Sequence, residues 1–301
     1  MSAPQKADDA GKALAWMTAS ALGFSLMSIF VKRIGSALPE FELVFFRSVI
    51  NLCWALLVAG LRGQSFRALV HTPGKPLLMF RGLVGLAGVS CLFYGLRRLP
   101  LPIATLLNWC SPIFVIIFSR WFLKEKTNAA LGLWGTVAFC GLLMLIAPNT
   151  QAAWNASAKS LSLVAVGVTL VGAAFGGMAY VAVRAATAKA SPEAIVIYFM
   201  VVSTVVSAPL ALRDFVWPES SAQWWNVLAL GSFAAWGQVT MTHAYRYAPA
   251  AVVSLMNLLN PIFGALFGFW LFNEWLSFSQ GLGMILILCS VGVLAWQSNR
   301  A

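Results

Sequence analysis

Residues 94–126 read YGLRRLPLPIATLLNWCSPIFVIIFSRWFLKEK, and residues 243–275 read HAYRYAPAAVVSLMNLLNPIFGALFGFWLFNEW. The two stretches align without a gap at an offset of 149, with ten of 33 positions identical. The identical pairs are Arg97/Arg246, Pro100/Pro249, Leu106/Leu255, Asn108/Asn257, Pro112/Pro261, Ile113/Ile262, Phe114/Phe263, Phe118/Phe267, Trp121/Trp270 and Glu125/Glu274. An apolar composition matches Leu, Ile and Phe by chance. It does not bring Asn, Pro, Trp and Glu into one register, so the match is an internal repeat. Gly132 pairs with Gly281 at the same offset. Upstream, Pro39-Glu40 resembles Pro192-Glu193 and Arg33 resembles Arg184 after a small shift.

The sequence around this repeat is 60% apolar and 10% charged over 301 residues, with a mean hydropathy of +0.82. Soluble chains run at roughly 45–50% apolar and about 25% charged. A soluble enzyme, a disordered chain and a secreted disulfide scaffold are therefore excluded, which leaves a polytopic helical membrane protein. Charge-poor stretches mark ten spans, at 13–31, 41–61, 77–96, 101–123, 128–147, 160–183, 193–212, 224–245, 249–272 and 277–297. Ala147-Pro148-Asn149-Thr150 is expected to end the fifth. The first apolar run is too long for a signal peptide and reads as a retained helix. Cys53, Cys91, Cys110, Cys140 and Cys289 fall inside spans with no CxxC spacing, as small buried hydrophobes would. Asn155-Ala156-Ser157 fits a glycosylation pattern too short to carry weight.

Orientation follows the basic residues of the loops. With the N-terminus inside, twelve Lys and Arg fall on the cytoplasmic side and six, Lys32, Arg33, Arg97, Arg98, Lys159 and Arg213, on the outside. Both termini are expected in the cytoplasm. The net charge of +11 is then a topology signal, since no basic domain for nucleic acid exists. Five spans per repeat is an odd number, so the second copy enters from the opposite side. The expected fold is an all-α integral membrane protein of ten transmembrane helices in two inverted five-helix repeats, an architecture of secondary transporters.

These residues also suggest a family. The unit resembles the EamA-type repeat of the drug/metabolite transporter superfamily. The matching features are an arginine early in the second span (Pro39, then Phe46-Arg47), Pro112 in the fourth, Glu125-Lys126 at its end and Gly132 in the next. The resemblance covers nearly the whole chain: a tail at 1–12, a first repeat at 13–147, a connecting loop at 148–159, a second repeat at 160–297 and a tail at 298–301. The second copy departs from it, with Tyr198-Phe199 where an arginine would sit and Trp275 after Glu274. The resemblance implies a metabolite carrier with a central cavity and with the fifth and tenth helices at the periphery. It leaves the substrate open among amino acids, vitamins, nucleotide-linked compounds and drugs.

Candidate site residues come from polar groups inside spans. Pro112 and Pro261 lack the N–H that would bond the carbonyl four residues back, which belongs to Asn108 and Asn257. In hydrocarbon a freed acceptor must find a partner or a wet cavity. The two turns therefore either flank a substrate or join helices. Asn260 adds a polar group where the first copy has Ser111. The eighth span is unusually polar. Trp236, Thr240 and His243 share one face, and Gln238, Thr242 and Tyr245 an adjacent one; both are expected inward. His243 is more readily a structural histidine than a proton carrier. Trp16, Phe24 and Met27 in the first span, Tyr94 in the third, Met178 in the sixth and Tyr198 in the seventh either fill the bundle or wall a cavity. Arg47 pairs with Glu40, Glu42 or Glu125, or meets a substrate carboxylate; Arg81 is expected to snorkel. Glu125 and Glu274 are candidates for ion pairs or gating. Small-residue stripes (Ala15/Ala19/Gly23, Gly82/Gly85/Gly88, Gly172/Gly176, Gly264/Gly268) suit helix packing.

No phosphate-binding loop, HExxH or GxSxG motif occurs, so ATP hydrolysis, metalloprotease and serine hydrolase chemistry have no support. No metal and no cofactor are expected; the partners are a small-molecule substrate and the lipid bilayer, not nucleic acid, and a monomer is favoured. No acid lies deep in a span, which favours uniport or exchange over proton antiport. The sequence therefore reads as an inner-membrane carrier, with its site between spans 1, 3, 4, 6, 8 and 9. Export of amino acids, aromatic ones included, is the preferred activity. Uptake or efflux of a vitamin, nucleoside-like compound or drug is the alternative, and a channel the second.

Overall fold

In the computed structural model the chain is helical, with no strand among the described residues. It describes residues 9–299 except 36, 66, 68, 70, 126, 127 and 158–161, without the side chains of 40, 101, 102, 147–157 and 214. Lys126, Lys159, Arg300 and residues 1–8 of the expected tail lie outside the described residues, as do the side chains of Glu40 and Asn155. The helices are α1 (Ala10–Ile34), α2 (Glu40–Leu61), α3 (Lys75–Arg98), α4a (Leu101–Asn108), α4b (Ser111–Phe118), α5 (Ala129–Ser157) and α6 (Leu163–Thr187). They continue with α7 (Pro192–Ala211), α8 (Ser221–Tyr247), α9a (Ala250–Met256), α9b (Leu259–Phe272) and α10 (Phe278–Ser298).

Local chemistry explains where these helices start. Asp9 caps α1 by accepting from the Lys12 amide at 3.0 Å, so the helix begins before the expected residue 13. The Lys12 ammonium, by hydrogen bonding, also holds that carboxyl below the ordinary carboxylate range. Ser162, Ser191 and Ser220 cap α6, α7 and α8, and Ser277 with Gln280 forms a capping box on α10. Residues 148–157, expected as loop, continue α5 to Ser157. Pro148 removes one amide donor, and the helix bonds on either side carry the chain past it.

Nine segments of the described chain are long and apolar enough to cross a membrane. With 27 residues, α8 has the length, but its run of polar side chains lowers its hydropathy. The protein is a multi-pass membrane protein.

The packing plan is doubled. Helix α1 lies along α8 as α3 lies along α6, α1 meets α9b as α4b meets α6, and α2 meets α8 as α3 meets α7. The remaining large contacts pair α2 with α7 and α5 with α10. Small residues set both long crossings. A Cβ on Gly23 would lie 2.9 Å from the Gly237 amide nitrogen, and one on Gly88 would lie 3.1 Å from the Gly172 oxygen and the Gly176 nitrogen. Gly88 and Gly237 are one position in the two repeats, at the offset of 149. Backbones approach this closely only without side chains between them. Gly264, by contrast, meets no neighbour within 4 Å, so its stripe does not pack as expected.

The two ends of the described chain lie at one end of the bundle, where the Ala10 amide donates to Asn299 at 2.7 Å and the Asp9 amide to the Tyr247 carbonyl at 2.7 Å. This end is the termini face below, and the opposite end the far face.

Candidate functional site

The fourth and ninth segments break rather than kink. Each break separates two short helices at Asn108-Trp109-Cys110 and at Asn257-Leu258. Pro112 and Pro261 sit in the first turn of the second piece, where a missing N–H costs nothing. The carbonyl of Asn257 is not left free as expected. It accepts from the Asn260 amide at 3.0 Å, because the chain tightens to three-residue turns at the break. The Asn257 side chain is 6% exposed, and its Oδ1 has no partner. Asn108, its counterpart, is half-buried. Asn260 turns to α1, where Ser25 donates to both its oxygens at 3.0 Å.

A polar cluster lies among α2, α3, α6 and α8. Arg81 is 3% exposed and does not snorkel. A Cβ on Gly85 would lie 2.5 Å from its Nη1, so the guanidinium runs along α3 away from the termini face, over the groove that Gly85 leaves. There it stacks 3.6 Å over the ring of Phe199. Its Nε and Nη1 are buried without a hydrogen bond. Arg47, half-buried, also has a buried, unbonded Nε, and one turn along α2 both amide atoms of Asn51 are buried and unbonded. The two arginines sit within range of each other's charge and of the Tyr180 hydroxyl. Tyr180 stacks on Tyr245 at 5.7 Å, and the Tyr245 hydroxyl has no partner.

Among the described residues no carboxylate pairs with either arginine. Two of the partners expected for Arg47, Glu42 and Glu125, are engaged elsewhere, and the side chain of the third, Glu40, lies outside the described residues. Glu42 Oε2 accepts from the Val216 amide at 3.0 Å. Both oxygens of Glu125 accept from the Ala250 amide at 3.0 Å, capping α9a, and Arg184 Nε lies 3.6 Å from Oε1. Arg184 also donates to the Tyr245 carbonyl at 3.1 Å.

A second network closes the termini face. Glu193, 1% exposed at the start of α7, pairs with Arg62 at the end of α2 and accepts from Gln64 at 3.3 Å. His243 Nε2 lies 3.3 Å from Arg62 Nη1 and 3.5 Å from Glu193, and its ring stacks on Trp16 at 4.7 Å. An unprotonated Nε2 accepts from Arg62; a protonated one donates to Glu193. No buried acid was expected from the sequence, yet Glu42 and Glu193 are both buried. They stand in first helical turns, where the sequence reads as boundary, and neighbouring helices cover them.

The two polar faces of α8 point in opposite directions. Gln238 and Tyr245 are buried toward α6, while Trp236, 40% exposed, lies on the far side of the helix. Thr240 spends its hydroxyl on the Trp236 carbonyl at 2.7 Å, and Thr242 on that of Gln238 at 2.8 Å. Phe24 packs on Gly237, and Met27 packs in an apolar cluster with Phe30 and Phe46. Tyr94 lies under Arg98 at 3.9 Å. Met178 is half-buried on α6, and Tyr198 packs at the edge of the main core. At the far face Glu274 pairs with Lys32 at 2.5 Å. Sequence reasoning missed Asn51, Arg62, Tyr180, Arg184 and Glu193. The signal for Asn51 was present, one helical turn from an arginine inside a span.

The profile of the EamA-like transporter family matches residues 11–147 and, a second time, residues 163–296. The chain belongs to the EamA-like transporter family. This transporter is 37% identical over 249 residues to the pseudopaline exporter CntI of Pseudomonas aeruginosa, covering 83% of each chain. It is 23% identical to the S-adenosylmethionine uptake transporter of Rickettsia prowazekii, over 96% of this chain and 94% of that one. A solved crystal structure 18% identical in sequence superposes with a TM-score of 0.81, over 97% of this chain and 99% of the other, which shows the shared fold. The family and its relatives are transporters, not enzymes.

Proposed function

We propose that the transporter crosses the inner membrane ten times as two inverted repeats, with both termini cytoplasmic. It exports small amino-acid-class metabolites, aromatic ones included, by alternating access, as a monomer and without ATP. The observation that carries this reading is the doubled packing plan with unequal ends. Helix pairs recur in matching sets, yet the ion pair at the termini face is largely buried while its counterpart at the far face is exposed. Two like halves able to exchange these arrangements about a central site would move a solute. The broken α4 and α9 segments supply polar turns at matching depth, and the unpaired arginines suit a substrate carboxylate. The name of the Pseudomonas relative favours export of an organic metabolite as the direction.

Flux into proteoliposomes from a panel of labelled amino acids, riboflavin and nucleosides tests the substrate. Amino-acid flux is expected. Flux of another solute without any amino acid would overturn that choice. Flux that collapses with a proton ionophore would replace uniport with proton coupling, for which Glu193 beside His243 is the available pair.

A further inference from the structure

Resting on the transport reading, we propose that Arg47 and Arg81 form one binding site for a solute that carries two carboxylates. Two guanidinium groups lie inside the bundle with buried donors unbonded, and among the described residues no acid balances them. A buried charge without a partner is strongly disfavoured, and proteins keep such groups where a ligand supplies the opposite charge. Direction supports this. Arg47 enters from the far-face end of α2 and Arg81 from the termini-face end of α3, and the Arg81 guanidinium lies over Gly85, deeper in the bundle than its own Cα. One carboxylate would neutralise one arginine and leave the other exposed to the same penalty. Two carboxylates neutralise both, each in the forked geometry that guanidinium groups hold. Asn51 and the Tyr245 hydroxyl add unbonded polar atoms to the same site. The apolar wall is Phe199 and Tyr180. The site therefore selects acidic over neutral amino compounds within the proposed substrate class.

The test uses the full-length protein in detergent and two readouts. In the first, L-glutamate and citrate are titrated against L-glutamine by thermal shift. L-glutamate and citrate, with two and three carboxylates, are expected to stabilise the protein at concentrations at least tenfold lower than L-glutamine does. In the second, melting is measured without any solute. Arg81→Gln and Arg47→Gln are expected to melt above the wild type, because each removes an uncompensated charge, and to lose the preference for the acids. Arg81→Lys, which keeps the charge without the fork, retains a reduced preference. Equal stabilisation by acids and amide, no stabilisation by any probe, or a Gln variant that melts lower than the wild type would overturn the proposal. Failure of the transport reading looks different. Acids would bind selectively while no panel solute crosses proteoliposomes. Conversely, neutral amino-acid flux without acid binding would leave transport standing and remove this site.

Discussion

Glu125 and Glu274 occupy the same position in the two repeats, and each pairs with a basic residue at the end of the first helix of the other repeat. The surroundings differ. Glu125 is 14% exposed and its partner Arg184 is 7% exposed, whereas Glu274 and Lys32 are 59% and 50% exposed. The difference extends through the neighbouring elements. Residues Ser254 to Asn257 are buried, while their counterparts from Thr105 to Asn108 are half-buried. Gln238, Thr240, Thr242 and His243 of α8 are buried, while Val89, Cys91, Phe93 and Tyr94, their counterparts on α3, are half-buried. Like sequences thus stand in two surroundings within one molecule, more deeply buried toward the termini face than toward the far face. Under the proposed function, exchanging the two arrangements would give the other end of an alternating cycle.

The comparison can be broken most severely at the crossings that hold both ends. Gly23→Leu should cost about 3 kcal/mol or more through overpacking against the α8 backbone, and folded yield in detergent should fall sharply. Gly264→Leu, facing open space, should leave the yield unchanged.

Next in size is the seal itself. Glu125→Gln should cost about 3 kcal/mol of closure, the scale of breaking a buried pair, while Glu274→Gln costs under about 1 kcal/mol, as an exposed pair does. The readout is thiol labelling of matched positions in a protein without its native cysteines. Thr105→Cys should react quickly and Ser254→Cys slowly, and Glu125→Gln should bring Ser254→Cys close to the rate of Thr105→Cys. Equal rates before that change would remove the asymmetry. Glu193→Gln should act in the same direction through the Arg62 and His243 network, at the same reporter.

Asn108→Ala and Asn257→Ala sharpen the central site and should cut flux severalfold while folded yield holds. If yield and flux fall in parallel, the asparagines only join helices, worth about 0.6–2 kcal/mol each. Trp236→Ala, on the outward face of α8, is expected to change flux by less than about twofold, as surface substitutions usually do.

Much of this was legible in the residues. Prolines at 112 and 261 marked the two interrupted segments, since a missing donor weakens a helix interior and is tolerated in a first turn. Scarce charges located the helices. Which face of a helix points inward was not legible: Trp236 and Gln238 were both read as inward, yet Trp236 is 40% exposed and Gln238 4%. In a membrane both the bundle interior and the lipid are apolar, so the polarity contrast that orients a soluble helix is weak. Arg81 misled for a related reason. Its place near a helix end suits snorkelling, and only the groove at Gly85 and the ring of Phe199 turn it inward.

The sequence by itself determined that the chain lives in a membrane and that it carries an internal repeat. These depend on composition and the order of residues along the chain. The tertiary structure alone decided which of two matching ends is sealed, because the repeats carry nearly the same local signals and differ only in what packs around them. It alone also placed Arg47 and Arg81, from different helices and opposite ends, inside the bundle with buried donors unbonded.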